Sequence, residues 1–458
     1  MKSVQYLVLI ATVLGCSAAL AQCACEPEAR PEPTPEPRPF RWVKSDDTPL
    51  TLDGRRVGSL DHATVVRAEE ERNALVRITV ERWDKPYMQG WVSKDALLDE
   101  NHAIGHFSGL IDRNKDDARA YYGRGTALCC VPAVINRSEV LKRAQADLEE
   151  AARLNPDFWE AHYVLARLLL DENLRFREAI GEFTELIRLD PKDGLAYLLR
   201  GQCYSGLGKD TEAEGDFSTA IRLMPKLAEA YLCRAETRLR LGKYDEVLQD
   251  VGQVRALGVQ YTVDELTGKA LAAKGDLKGA VEAFDAAVAR EGEENPALFF
   301  DRADALAKLK NYRLALADYV VGEKECRPWG GCHLGPAKLA WFLATCPDRT
   351  IRDGHTAVNL ALSACRTYAF HDAQRDEIDK SAIEGTMEGD FRLVWIRKEW
   401  RKWDYLDILS AAYAETRDYR QASEWCRKAI ATAPEKERGA LRERLKLYEA
   451  GKPYHVPE

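Results

Sequence analysis

Pro156, Pro191 and Pro225 stand 35 and 34 residues apart, and each closes a stretch of helical periodicity. A period in this range is the signature of a stacked repeat, in which one small unit is copied and buries its apolar face against its neighbours. Upstream of each proline, a small residue precedes a large apolar one by four positions: Ala144 and Leu148, Ala179 and Phe183, Ala213 and Phe217. Earlier in each unit lie Gly125, Ala166 and Gly201, in what the spacing predicts to be a partner helix. Small residues let the two helices of a hairpin approach and large ones fill the seam. Proline then stops the second helix, because it lacks an N–H and its ring clashes with the preceding turn.

The fullest copy reads Tyr197, Gly201, Tyr204, Ala213, Phe217, Ala220 and Pro225. This pattern resembles the tetratricopeptide repeat. Further copies run through Tyr231, Ala235, Val247 and Val251, then Gly268, Ala280, Phe284 and Ala287, then Phe299, Ala303, Leu306, Ala315 and Tyr319. A last one has Leu406, Ser410, Tyr413, Ala422, Ala429 and Pro434. Residues 102–114, with Ala103 and Phe107, read as the second helix of a degenerate first copy, and 339–365 as a divergent pair with Ala357 as its small residue. The resemblance implies a mainly α fold, a right-handed α-solenoid of about seven or eight helical hairpins. Two insertions interrupt it. Residues 129–138 lengthen one inter-helix turn by seven positions relative to the 34-residue unit, and 367–403 carry Phe391, Trp395, Trp400 and Trp403 among Arg392, Arg397, Lys398 and Arg401. Those tryptophans either make a docking surface or pack on the end of the repeats.

Ahead of the repeats the texture changes. Residues 1–21 have a positive start, a short apolar core and an Ala-x-Ala-like end, the pattern of a secretory signal, with lipid anchoring at Cys16 as the alternative. Residues 22–40 form a proline-rich linker of polyproline II character. Residues 41–99 alternate in short β-type segments: Leu50–Leu52, Thr64–Arg67, Ala74–Val80 and Gly90–Ser93. The turn Val57-Gly58-Ser59-Leu60 and the late Gly90-Trp91-Val92 resemble a bacterial SH3-like domain, which implies a small β-barrel. No tryptophan leads the Ala74–Val80 segment, so a familiar ligand groove is not carried over. The expected organisation is thus signal, linker, β module, repeats over 100–325 and a divergent C-terminal region over 326–458. Together these features resemble exported bacterial repeat proteins, located in the periplasm, the envelope or the medium.

Composition narrows the function. A net charge of -8, with 66 Lys+Arg against 74 Asp+Glu, argues against a dedicated nucleic-acid binder. No uninterrupted apolar run anywhere in the chain is long enough to span a membrane, the core of the signal included. The 12 cysteines fall to an odd number if Cys16 is removed, and Cys326 with Cys332 closes a short loop as a candidate disulfide. His102 and His106 have the spacing of two metal ligands on a helix but lack a third. Gly206–Lys209 lacks the phosphate-loop spacing, and Cys203 falls inside a repeat helix. No catalytic constellation emerges, and no cofactor or metal is expected. The resemblance implies a partner-binding groove lined by the first helices, here Tyr163, Arg167, Leu198, Gln202, Leu232, Glu236, Glu265, Lys269, Phe300 and Asp304. The carboxylate clamp of co-chaperone members is absent, since Tyr163, Arg167, Leu199, Glu229 and Cys233 occupy its positions. The chain therefore reads as an exported interaction scaffold for proteins or peptides. One alternative is an envelope adaptor whose β module holds peptidoglycan peptides. The other is an enzyme built in the C-terminal region.

Overall fold

The computed structural model describes residues 40–52, 55–80, 88–131, 137–171, 175–259, 263–292, 295–326, 334–366 and 402–457. The signal, linker residues 22–39, Cys332 and insertion residues Phe391, Trp395 and Trp400 lie outside this set, while Phe40 belongs to the first strand. The chain divides into two compact units, Met1–Cys233 and Arg234–Glu458.

The first unit opens with seven antiparallel strands: β1 (Phe40–Val43), β2 (Thr48–Leu52), β3 (Arg55–Leu60), β4 (Val65–Arg72), β5 (Leu75–Val80), β6 (Met88–Ser93) and β7 (Leu97–Leu98). Their order is β3-β2-β6-β5-β4-β1-β7. The expected β module is present, as an open sheet ending at β3 and β7. Period-two alternation puts Val66 and Ala68 of β4 and Val76 and Ile78 of β5 on one buried face, with Leu50, Leu60 and Val92. Strands β1 and β7 carry little alternation of their own and were not expected from the sequence. Their role is docking. Trp42 of β1 is fully buried among helical residues, and its indole Nε1 donates to Thr126 Oγ1 at 2.9 Å.

Helix α1 (Glu100–Arg113) starts where the Asp99 side chain accepts the His102 N–H. Its Ala103 and Phe107 are fully buried, as the degenerate copy requires. Among the described residues no first helix precedes it, and the sheet stands in that place. Hairpins follow: α2 (Ala118–Cys130) with α3 (Arg137–Leu154), α4 (Trp159–Asp171) with α5 (Phe176–Leu189), and α6 (Gly194–Gly206) with α7 (Asp210–Leu223). Helix α8 (Ala228–Arg240) contains the boundary between units and precedes α9 (Tyr244–Ala256). The second unit continues with α10 (Asp264–Lys274) and α11 (Leu277–Glu291), then α12 (Ala297–Lys308) and α13 (Tyr312–Cys326). After them come α14 (Leu334–Thr345) with α15 (354–366), α16 (Lys402–Glu415) with α17 (Tyr419–Thr432), and a final α18 (Glu435–Glu449). Small residues are where close approach demands them. A Cβ on Gly201 would lie 2.7 Å from the Phe217 ring, and one on Gly268 2.5 Å from Phe284.

One ion pair recurs. In four hairpins an arginine directly before the small residue grips an aspartate directly before the large one. Arg200 reaches Asp216 with two bonds of 2.8 Å, as Arg302 does Asp318. Arg124 holds Asp147 at 2.7 Å twice, and Arg234 holds Asp250 at 3.0 and 2.6 Å. The separation is 16 residues except at Arg124–Asp147, where it is 23, the seven-residue insertion again. All four aspartates are buried. The third guanidinium nitrogen reaches back to the preceding hairpin or helix: Arg200 to Thr184 at 3.2 Å, Arg302 to Asp285 at 2.7 Å, Arg124 to Ser108 at 3.3 Å. Bidentate Arg–carboxylate pairs fix geometry as well as energy.

Asp216→Ala strands a half-buried guanidinium and is expected to cost roughly 3 kcal/mol in urea unfolding followed by circular dichroism. The double change Arg200→Leu with Asp216→Leu should cost clearly less. Equal losses for the two proteins would mean that the pair contributes by side-chain packing alone.

Candidate functional site

The open faces of the first helices present different side chains in the two units. In the first unit, α4, α6 and α8 contribute. Gln202 donates to Glu229 Oε1 at 3.0 Å and lies 3.7 Å from Cys233 Sγ. Burial pushes the Glu229 pKa up, against the opposing effects of the Gln202 bond and the Arg167 charge. Tyr163 stacks on Trp159 with ring centroids 5.0 Å apart, and both Tyr163 and Arg167 are buried. Leu232 is half-buried.

In the second unit the face is a charged network. Lys269 Nζ lies 2.5 Å from Glu265 Oε1 and 3.4 Å from Asp301. Lys338 lies 2.9 Å from Asp304 and 4.0 Å from Asp301, and Asn295 donates to Glu265 at 3.2 Å. The Tyr319 hydroxyl donates to Asp304. Glu236 is solvent-exposed, but surrounding protein displaces enough water to push its carboxyl pKa upward, with repulsion from Glu265 adding to the effect. Burial does the same to Asp301, against the pull of Lys269 and Lys338.

Four of the expected groove residues are buried, Leu198 and Phe300 as well as Tyr163 and Arg167. Leu198 is fully buried with Phe217, Leu227 and Ala230, because the next helix covers that turn of α6 and leaves only the turn bearing Gln202 open. Phe300 is likewise core, stacked on Tyr319 and closed in by Gly322 and Gly335. Asp301 and Lys338 were missed by sequence reasoning. Asp301 neighbours Phe300, the position mapped inward, and a one-residue shift along the helix would have found it. Nothing in the repeat pattern flags Lys338, which lies on α14 just ahead of the divergent pair. The candidate disulfide partner Cys326 is buried at the end of α13, while Cys332 is outside the described residues. His102 and His106 turn to different partners, the Asp99 carboxylate and the Lys44 carbonyl oxygen. Among the described residues no group of three or more potential ligands suits a metal ion.

The raised pKa values of Glu236 and Asp301 have a stability consequence. A carboxyl whose folded pKa lies above its unfolded value favours the fold while protonated, and that contribution is lost as pH rises through the ordinary carboxylate range to the folded pKa. Lys269→Met removes a charge that holds both pKa values down. The variant should be less stable than the parent by about 1 kcal/mol at pH 7.5, with the gap shrinking toward pH 4 in thermal melts. A gap that widens toward pH 4 would contradict this electrostatic account.

A family model described as tetratricopeptide repeat matches residues 141–174, 168–228 and 266–321. No curated protein matches the chain. Among solved structures the chain is similar to YrrB, described as a TPR protein with an unusual peptide-binding site, at 22% identity over 45% of this chain and 100% of that one, with a TM-score of 0.38. It is also similar to MamA from Desulfovibrio magneticus RS-1, at 18% identity over 38% and 97% of the two chains, with a TM-score of 0.35. The helical hairpins within residues 141–228 and 266–321 match the tetratricopeptide repeat.

Proposed function

We propose that the chain is a non-enzymatic scaffold that binds peptide or protein segments on the open faces of its hairpins. The observation that carries this reading is the network of Glu236, Glu265, Lys269, Asp301, Asp304 and Lys338 in the second unit. Its carboxyls are already partly desolvated, so an oppositely charged partner group gains more there than on an open surface. Mixed charge signs suit a polypeptide, whereas a phosphate backbone calls for a basic surface.

The β module is read as an SH3-like domain that serves chiefly as a structural clip, because Trp42 is committed to the helices. The export signal extends the scaffold reading to a protein working outside the cytoplasm. Residues 1–21 are then absent from the protein recovered from its native cell, and N-terminal sequencing should begin at Gln22. A chain recovered with Met1 intact would refute export by cleavage.

Partner binding is tested with a photo-crosslinking amino acid at Glu236 and, as a control, at the exposed Lys278 on the second helix of a hairpin. Discrete adducts are expected from position 236 and none from 278. The same pattern at both positions, or no adduct at either, removes the scaffold assignment. Binding to sedimented peptidoglycan through the β module, with no adduct at 236, would favour the envelope-adaptor alternative.

A further inference from the structure

Arg124, Arg200, Arg234 and Arg302 close the seams of their hairpins on Asp147, Asp216, Asp250 and Asp318. A guanidinium keeps its charge at any pH a folded protein meets. The α4–α5 hairpin closes its seam with a cation of another kind. His162 of α4 is 7% exposed, and its Nδ1 lies 2.6 Å from Glu182 Oε2 of α5. Its Nε2 lies 3.1 Å from the main-chain oxygen of Pro156, in the turn between α3 and α4.

A carbonyl oxygen and an ionised carboxylate only accept, so each ring nitrogen needs a hydrogen to serve its neighbour. The imidazolium carries two. The neutral ring carries one and must give up one acceptor, leaving a bare nitrogen lone pair against an oxygen where little water can replace the lost bond. Glu182 is the acceptor that can leave, since its side chain is 24% exposed and can turn toward water.

The other charges near the ring are compatible with its charged form. Glu185 of α5 adds its negative charge. Arg188 of α5 is engaged by Glu185 at 2.7 Å and by Asp157 of the turn at 2.9 Å, and it reaches the Pro156 oxygen at 3.4 Å. On α4 itself the nearest charged residues in sequence are Glu160 and Arg167. Helix α3 also packs against α4, and there Asp147 is held by Arg124 and Glu150 by Arg153. Burial opposes the imidazolium, but the Glu182 hydrogen bond and charge, with Pro156 and Glu185 adding, outweigh it and raise the His162 pKa.

We propose that His162 is a proton-controlled tie: as imidazolium it joins α5 to the turn that ends the preceding hairpin, and on losing its proton it releases Glu182 and loosens the α4–α5 hairpin. A histidine whose folded pKa lies above its unfolded value adds stability that is fully present below the unfolded value. That stability is lost as pH rises through the folded pKa. The loosening is therefore an alkaline event, whereas a histidine buried in its neutral form weakens a fold in acid.

The test follows the ring by NMR in the full chain with labelled histidine between about pH 5 and 9, the His162 resonance being the one missing from His162→Gln. It should titrate above the roughly 6.5 of a free imidazole. Glu182→Gln, whose amide can give a hydrogen to Nδ1, should bring that pKa down. Thermal melts over the same range supply the second measurement. The advantage of the parent over His162→Gln should shrink as pH rises through the value found by NMR, by about tenfold in the folding equilibrium for each unit separating folded and unfolded pKa. A ring that titrates at or below about 6.5, a ring unmoved by Glu182→Gln, or a gap between parent and variant that stays constant with pH overturns the proposal. Should His162→Gln fail to fold, Glu182→Gln identifies the resonance by its shift, and the titration decides.

Discussion

The recurrent arginine is the residue on which the hairpins depend. Its guanidinium holds the aspartate of its own hairpin through two parallel bonds and reaches the preceding helix with the remaining nitrogen. Apolar seams alone tolerate sliding, because one methyl contact resembles the next. A planar fork matched to a carboxylate does not slide. The pair therefore sets the register both within a hairpin and between successive ones, and the open faces inherit their spacing from it. The environment of the pair holds the arginines firmly charged: the Asp147, Asp216 and Asp318 bonds raise the pKa of Arg124, Arg200 and Arg302.

The exceptions follow the same logic. In the α4–α5 hairpin the position of the aspartate holds Glu182, and that of the arginine holds Leu165. The longer acid instead takes His162, at 2.6 Å, while the other imidazole nitrogen faces the Pro156 carbonyl oxygen at 3.1 Å. Burial works against the imidazolium, but these two acceptors outweigh it and raise its pKa. In the α10–α11 and α16–α17 hairpins both partners are gone together, leaving Thr267 with Ala283 and Leu409 with Trp425. Losing both is tolerable where losing one is not. Helix α16 uses charge differently, in the pair of its Asp407 with Arg444 of α18.

The repeat was legible because its determinants are local and periodic: Gly201 under Phe217, Gly268 under Phe284, proline at the helix end. The Arg–Asp pair was equally visible, as a fixed 16-residue separation, and went unread only because charged residues on helices are usually solvated. Strands β1 and β7 and helix α18 were not readable, since what defines them is the surface they cover. The candidate faces were half legible. Repeat mapping names positions on the first helices but cannot tell which turns the next helix covers, and Leu198 and Phe300 are buried.

Trp42 makes the change of texture near residue 99 misleading as a place to divide the protein. The indole belongs by sequence to the sheet and by packing to the helices, where it shares one apolar cluster with Phe107, Ala120 and Leu128. A solenoid needs its terminal apolar surface covered to remain soluble. Here a strand covers it. A fragment beginning at the first helix would carry that uncovered surface into solution, and the isolated sheet would carry an exposed tryptophan. The smallest piece of the N-terminal unit that is whole in the physical sense therefore starts before residue 42 and runs on into the helices.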